Sequence, residues 1–172
     1  DLSDLSKVAV QYAIKIANKL DGTVTLLNVI NIVQPTRATM RLRLKKLEQE
    51  LLDIAKEDME VLVKEVSKHL KTTHPIQVKI VKGSSFNETV KREAKKLRTG
   101  LIVMGTRGAS GLRKYVLGSN TTSVIEVSHV PVLAVPELGD FKNFKNVVYA
   151  RDLKHIEKEL KNVLEGYIRK TV

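Results

Sequence analysis

Apolar residues recur at helical spacing near the start of the chain, at Leu5, Val8, Ala9, Tyr12, Ala13, Ile16, Ala17 and Leu20. That period predicts an amphipathic helix over residues 4–20. Ser3 or Asp4 is placed to cap it, and Gly22 sits just past its end. The pattern then changes. Thr23–Ile30 has almost no polar alternation, which predicts a strand covered on both faces, as in a parallel sheet. After Pro35 an apolar stripe of Leu44, Leu47, Leu51, Ile54, Ala55, Leu62, Val66 and Leu70 predicts one long helix from about Thr39 to Leu70. A helix of roughly 30 residues spans about 45 Å, more than a small sheet covers, so its first turns are expected to overhang, bend or be partly disordered.

Ile76–Val81 alternates apolar and polar residues and reads as an edge strand. Gly83-Ser84-Ser85 opens the next helix, with Ser85 and Glu88 at capping-box spacing and Gly100 closing it. Leu101–Met104 is a buried strand, Gly105–Gly118 a glycine-punctuated loop, Ser119–Ser128 a short helix, and Pro131–Val135 a last strand. Strands alternating with helices predict a doubly wound, five-stranded parallel α/β sheet in three layers, Rossmann-like in architecture. Right-handed crossovers put helices on both faces, and ligands bind beyond the carboxyl ends of the strands.

Such a domain normally opens on a strand, and this chain opens on a helix. Asn146–Ala150 reads as a short buried strand followed by Arg151-Asp152-Leu153 and a helix, an echo of Asp1-Leu2. The expectation is a domain over 1–136, a linker over 137–145, and a strand–helix segment over 146–172. That segment either begins a second, tandem copy or supplies the absent first strand from residues 146–150.

Composition narrows the chemistry. There is no cysteine, so disulfides and thiolate metal sites are excluded, in keeping with a reducing, cytoplasmic setting. No apolar run reaches the ~20 residues of a membrane span, and Asp1-Leu2-Ser3-Asp4 lacks the character of a secretion signal. The net charge of +11 favours anionic partners. Its lysines and arginines lie mostly on helical faces, however, and 4% aromatic content leaves little to stack on bases. Nucleic acid is therefore not the expected partner. His69, His74, His129 and His155 are scattered, without a pair at metal-ligand spacing. Glu48, Glu50, Glu57, Asp58 and Glu60 read as a solvated, salt-bridged helix face. Ser84 and Ser85 read as caps rather than nucleophiles, and no residue stands out as a general base. Any hydrolysis is expected to be slow or absent.

The informative segment is Val103–Gly111, continuing to Gly118-Ser119. It follows a buried strand and leads into a helix. Glycines allow backbone amides to approach a phosphate without a Cβ clash, and the helix N-terminus adds unpaired N–H groups. Arg107, Arg113 and Lys114 add positive charge. The motif is neither a Walker loop nor the dinucleotide-binding glycine fingerprint.

At Gly105, Gly108, Gly118 and Ser119 the chain resembles the universal stress protein family, whose nucleotide motif has this spacing of glycines before a serine or threonine. The flanks, Leu101–Gly105 and His129–Pro136, resemble the family too. The resemblance implies a fold related to the adenine nucleotide alpha hydrolases and a bound adenine nucleotide, ATP by expectation. Asp1 would contact the nucleoside, and Val29 and Met104 would line the adenine pocket. Gly105, Gly108, Gly118, Ser119, Asn120 and Thr121 would hold phosphates and ribose, with Arg107 a further phosphate contact. Mg²⁺ or Mn²⁺ would ride on the phosphates, since no carboxylate cluster builds a metal cage. It also implies pairing through strand 132–135, across a homodimer or between tandem copies, and a role in stress response. The alternative within the same fold is an interaction or chaperone-like module that leaves the pocket unused.

Overall fold

The computed structural model describes residues 4–31, 38–106 and 117–136, with helix side chains described from Ser6 in the first helix and Leu44 in the second. The elements follow the alternation expected from the sequence: α1 (Asp4–Leu20), β1 (Thr25–Asn31), α2 (Ala38–Val66), a 3₁₀ turn (Ser67–His69), β2 (Gln77–Gly83), α3 (Phe86–Lys96), β3 (Ile102–Gly105), α4 (Ser119–Val127) and β4 (Val132–Val135). All lie within the first of two compact units, 1–139 and 140–172. The second unit, and with it the strand expected at 146–150, lies outside the described residues.

The strands pair in parallel, as their apolar character predicts. β1 runs beside β2 from Thr25 opposite Gln77 to Asn31 opposite Gly83, and β3 beside β4 from Ile102 opposite Val132 to Gly105 opposite Val135. Among the described residues these are two separate two-stranded sheets rather than one of five strands. Four of the five expected strands are described, and hydrogen bonds run only within each pair.

One core cluster joins α1, β1 and α2 through Ile14, Ala17, Val24, Leu26, Met59, Leu62 and Val66. Each large side chain here contributes about 1.5–3 kcal/mol by leaving water. Asn18 adds a polar latch: its Nδ2 donates to the His69 carbonyl at 2.9 Å, and its Oδ1 accepts the Lys71 amide at 2.7 Å. α1 also packs on β3 and β4, while α3 packs on β1, β2 and α4.

The long helix is where the expected stripe divides. Ala55, Leu62 and Val66 are buried as expected, together with Met59, but Leu47, Leu51 and Ile54 are exposed. The domain covers one face of α2, and these three residues lie about a quarter turn round the helix from the buried ones.

Helix ends depart from expectation in one detail. The left-handed residues are Asp21 (φ 51°) and Arg98 (φ 50°), not the glycines nearby. Gly22 donates to the Ala17 carbonyl at 3.0 Å and Thr99 to the Ala94 carbonyl at 2.9 Å. Both ends thus close in the Schellman pattern, with Asp21 and Arg98 at the position glycine usually fills.

Candidate nucleotide site at the carboxyl end of β3

β3 ends at Gly105 and α4 begins at Ser119, so the glycine-rich loop leaves and re-enters the fold at the carboxyl end of a strand. Its base is closed by three hydrogen bonds. The Thr106 amide extends the ladder to the Val135 carbonyl at 2.8 Å, and the Gly118 amide donates to the Thr106 carbonyl. Thr121 Oγ1 donates to the Gly105 carbonyl at 2.7 Å. Thr121 is 3% exposed and Val124, one turn later, 1%. Their burial fixes the axis of α4, while Ser119 and Asn120 stay exposed on its first turn.

The helix N-cap is Gly118, at φ −63° and ψ 148°. It has no side chain to occupy the amides of the first turn, and no acidic residue stands there. An uncapped N-terminus keeps its partial positive charge and its donors for an external anion. The backbone of Gly118 is extended and does not itself require glycine.

The other predicted site residues divide in two groups. Val29 lies near the end of β1 opposite Val81, and Met104 near the end of β3 opposite Ala134, so they belong to different strand pairs. Both stand at the carboxyl ends. The neighbours of Val29, rather than Val29 itself, line an open groove of about 300 Å³ against α2, made by Asn28, Ile30, Asn31, Leu51, Ile54, Ala55 and Asp58. Asp1, Arg107 and Gly108 lie outside the described residues, as do Arg113 and Lys114.

Three residues hold the domain together without having stood out in the sequence. Thr106 supplies the acceptor that shuts the loop base. Gly83 ends β2 so close to α3 that an added Cβ would lie 2.1 Å from Thr89 Oγ1. Thr89 is itself 2% exposed, with its hydroxyl donating to the Ser85 carbonyl at 2.6 Å. Glu93 is the third. Its side chain is 3% exposed and meets Lys79 at 2.8 Å, Arg92 at 3.1 Å and Lys96 at 3.1 Å. The Lys79 hydrogen bond, above all, holds its carboxyl down at about 2, against burial that pushes the other way. A glutamate beside Thr89, Val90 and Ala94 on the buried face of a helix was the available signal.

The capping box expected at Ser85 takes another form. Ser85 is the N-cap of α3, but its hydroxyl donates to Asn87 Oδ1, which also accepts the Glu88 amide. Asn87 Oδ1 takes the Glu88 amide that the Ser85 hydroxyl would accept in a capping box, so the reciprocal Ser–Glu exchange is displaced. The acidic face of α2 is salt-bridged as expected at Glu48, which meets Lys82 at 2.9 Å. Among the described residues no group of three or more histidine, aspartate or glutamate side chains is arranged to hold a metal.

The model of the universal stress protein family matches residues 1–136. The chain belongs to the universal stress protein family. Universal stress protein MJ0531 of Methanocaldococcus jannaschii is 36% identical over 140 residues, covering 78% of this chain and 77% of that protein. UspA from Lactobacillus plantarum superimposes with a TM-score of 0.68 at 24% identity, covering 78% of this chain and 92% of that one. A universal stress protein solved in complex with cAMP superimposes at 0.53 and 21% identity, over 79% and 91% of the two chains. This universal stress protein domain thus has the Rossmann-like α/β fold of its relatives, and the family match ends one residue after β4. No described helix is long and apolar enough to cross a membrane.

Proposed function

We propose that this universal stress protein domain binds an adenine nucleotide, ATP by preference, across the carboxyl ends of β1 and β3. The observation that carries the reading is the closed base of the glycine-rich loop: Thr106, Gly118 and Thr121 hold the loop's two ends together beneath an uncapped helix N-terminus. A preorganised base lets the amides meet phosphate without first being ordered. Ser119 and Asn120 present exposed donors to the phosphates and ribose. Thr121 acts one step back, since its hydroxyl is engaged with Gly105. The donor set fits Mg²⁺ or Mn²⁺ carried on the phosphates, where the ion would neutralise charge, better than an ion held by protein carboxylates. The relative solved with cAMP holds an adenine nucleotide on the same fold.

In this reading the domain is a cytoplasmic sensor or store of nucleotide that hydrolyses it slowly or not at all. It signals by pairing through strand 132–135, in a homodimer or with a tandem copy beginning near Asn143. Gly118 decides the test. Valine tolerates its φ and ψ, so Gly118→Val preserves the backbone while adding bulk at the start of α4. Millimolar ATP with magnesium is expected to raise the melting temperature of the native chain, and Gly118→Val to abolish that rise. At a hundredfold excess over Kd the stabilisation is about 2.7 kcal/mol. An equal rise in both proteins, or none in the native chain, refutes the assignment.

A further inference from the structure

α2 carries two apolar stripes, and its own domain covers one of them. Ala55, Met59, Leu62 and Val66 are 8, 4, 4 and 3% exposed, whereas Leu47, Leu51, Ile54 and Val61 are 52, 39, 55 and 67% exposed. The outer stripe lies about a quarter turn round the helix from the inner one, at 3.6 residues per turn. With half-buried Leu44 and exposed Asp58 it steps alternately by three and four residues from Leu44 to Val61. That is a heptad seam, with Leu44, Leu51 and Asp58 at a and Leu47, Ile54 and Val61 at d. A strict heptad repeat is the pattern that keeps a seam turned toward a second helix.

Charge along the same helix chooses the partner's direction. Arg41, Arg43, Lys45 and Lys46 stand with no acidic residue among them. From Glu48 to Glu60 the helix then carries Glu48, Glu50, Asp53, Glu57, Asp58 and Glu60 against the single base Lys56. A parallel, in-register pair sets base on base and acid on acid. An antiparallel pair sets each basic end beside the acidic stretch of the other, which favours association and suppresses the wrong register.

We propose that a second copy of this chain docks antiparallel on the outer face of α2, about a two-fold axis near Gln49. Leu44 then packs against Ile54 of the second copy, and Leu47 against Leu51 of the second copy. Asp58, the polar residue at an a position, falls beside the basic start of the opposing helix and fixes the register. The inference rests on α2 and needs neither nucleotide nor pairing through strand 132–135, although Leu51, Ile54 and Asp58 also line the groove at the end of β1, which a docked copy covers.

The chain has no cysteine, so introduced thiols report without background. Leu44→Cys and Ile54→Cys are made in the full chain and oxidised separately and as a mixture. The antiparallel pair predicts a disulfide-linked heterodimer in the mixture and monomers from each variant alone. The two positions lie about 15 Å apart along one helix, beyond the reach of a disulfide in any parallel in-register pair. Adding Leu51→Glu to both variants is expected to slow crosslinking about 100-fold, as charge enters the centre of the seam. Crosslinking of either variant with itself overturns the proposal, as does a mixture that does not crosslink. An undiminished rate with Leu51→Glu overturns it too, since the disulfide would then report random collision.

Discussion

The β1–β2 pair and the β3–β4 pair are both parallel, yet they are built to different lengths and held by different forces. The first is paired over seven positions, lies beneath the α1–α2 core, and is tied to α3 by the charge cluster of Glu93. The second is paired over four positions, and its carboxyl end continues into the hydrogen-bonded base of the glycine-rich loop. In the proposed reading the longer pair contributes mainly packing and its charge cluster, and the shorter one the phosphate side of the site. A substitution in one region should therefore move the melting temperature with little effect on nucleotide, while one in the other should do the reverse. Gly118→Val, with its ATP-dependent melting temperature, is the sharpest version of the second case.

Glu93 offers the largest break on the stability side. Its partners Lys79, Arg92 and Lys96 are 34, 49 and 59% exposed, so their charges return to water when the carboxylate is removed. Glu93→Gln is therefore expected to cost about 2–3 kcal/mol, at or just below the lower end of the range of about 3–5 kcal/mol for breaking a fully buried pair. The folded carboxyl titrates at about 2, below its ordinary value of 4.5. Its stabilisation is thus fully present above pH 4.5 and is lost as pH falls toward 2. Melting curves of both proteins from pH 7 to pH 3 should show the gap narrowing below about pH 4.5. A gap independent of pH would mean that shape, not charge, makes Glu93 matter. Nucleotide response at pH 7 should be unchanged.

Thr121→Val tests whether the two regions are as separate as this implies. Valine keeps the shape but leaves the Gly105 carbonyl without its side-chain donor, at a cost of about 1–2 kcal/mol. Because that bond seats α4 on the end of β3, the variant should also weaken ATP binding, by about tenfold in isothermal titration. Loss of stability with ATP affinity intact would show that the Thr121–Gly105 bond serves packing alone.

The contrast also explains what was legible in the sequence. Element order, the parallel sheets and the glycine motif follow from local signals: periodicity, turn residues, and spacing along a single segment. Contacts between segments left weaker traces. The hydrogen bond from the Thr121 hydroxyl to the Gly105 carbonyl, sixteen residues away, has no trace in the sequence because it exists only once β3 and α4 are packed together. Gly83 reads in the sequence as part of a helix opening, although the closeness of Thr89 is what requires glycine there. The α2 stripe was read as one face because Leu51 and Ala55 are neighbours on a helix. Only the position of the sheet decides that Ala55 is buried and Leu51 is not.

The smallest expected effect returns to the long-pair region, at the end of α3. Arg98 holds φ 50° and Asp21 φ 51° in matching helix termini, but aspartate tolerates the left-handed region better than arginine does. Gly100 meets nothing within 4 Å where its Cβ would be, so the turn is roomy and the strain at Arg98 comes from its own backbone. Arg98→Gly relieves that strain and keeps the amide bonds to Lys95 and Ala94. Glycine also makes the unfolded chain more flexible, which offsets part of the gain. The net expectation is a stabilisation of about 0.5–1 kcal/mol, or roughly 2–4 °C in melting temperature. Asp21→Gly should give less. If Arg98→Gly instead destabilises the domain, the arginine side chain contributes contacts that outweigh the backbone cost, and the α3 terminus owes its shape to packing rather than to local conformation.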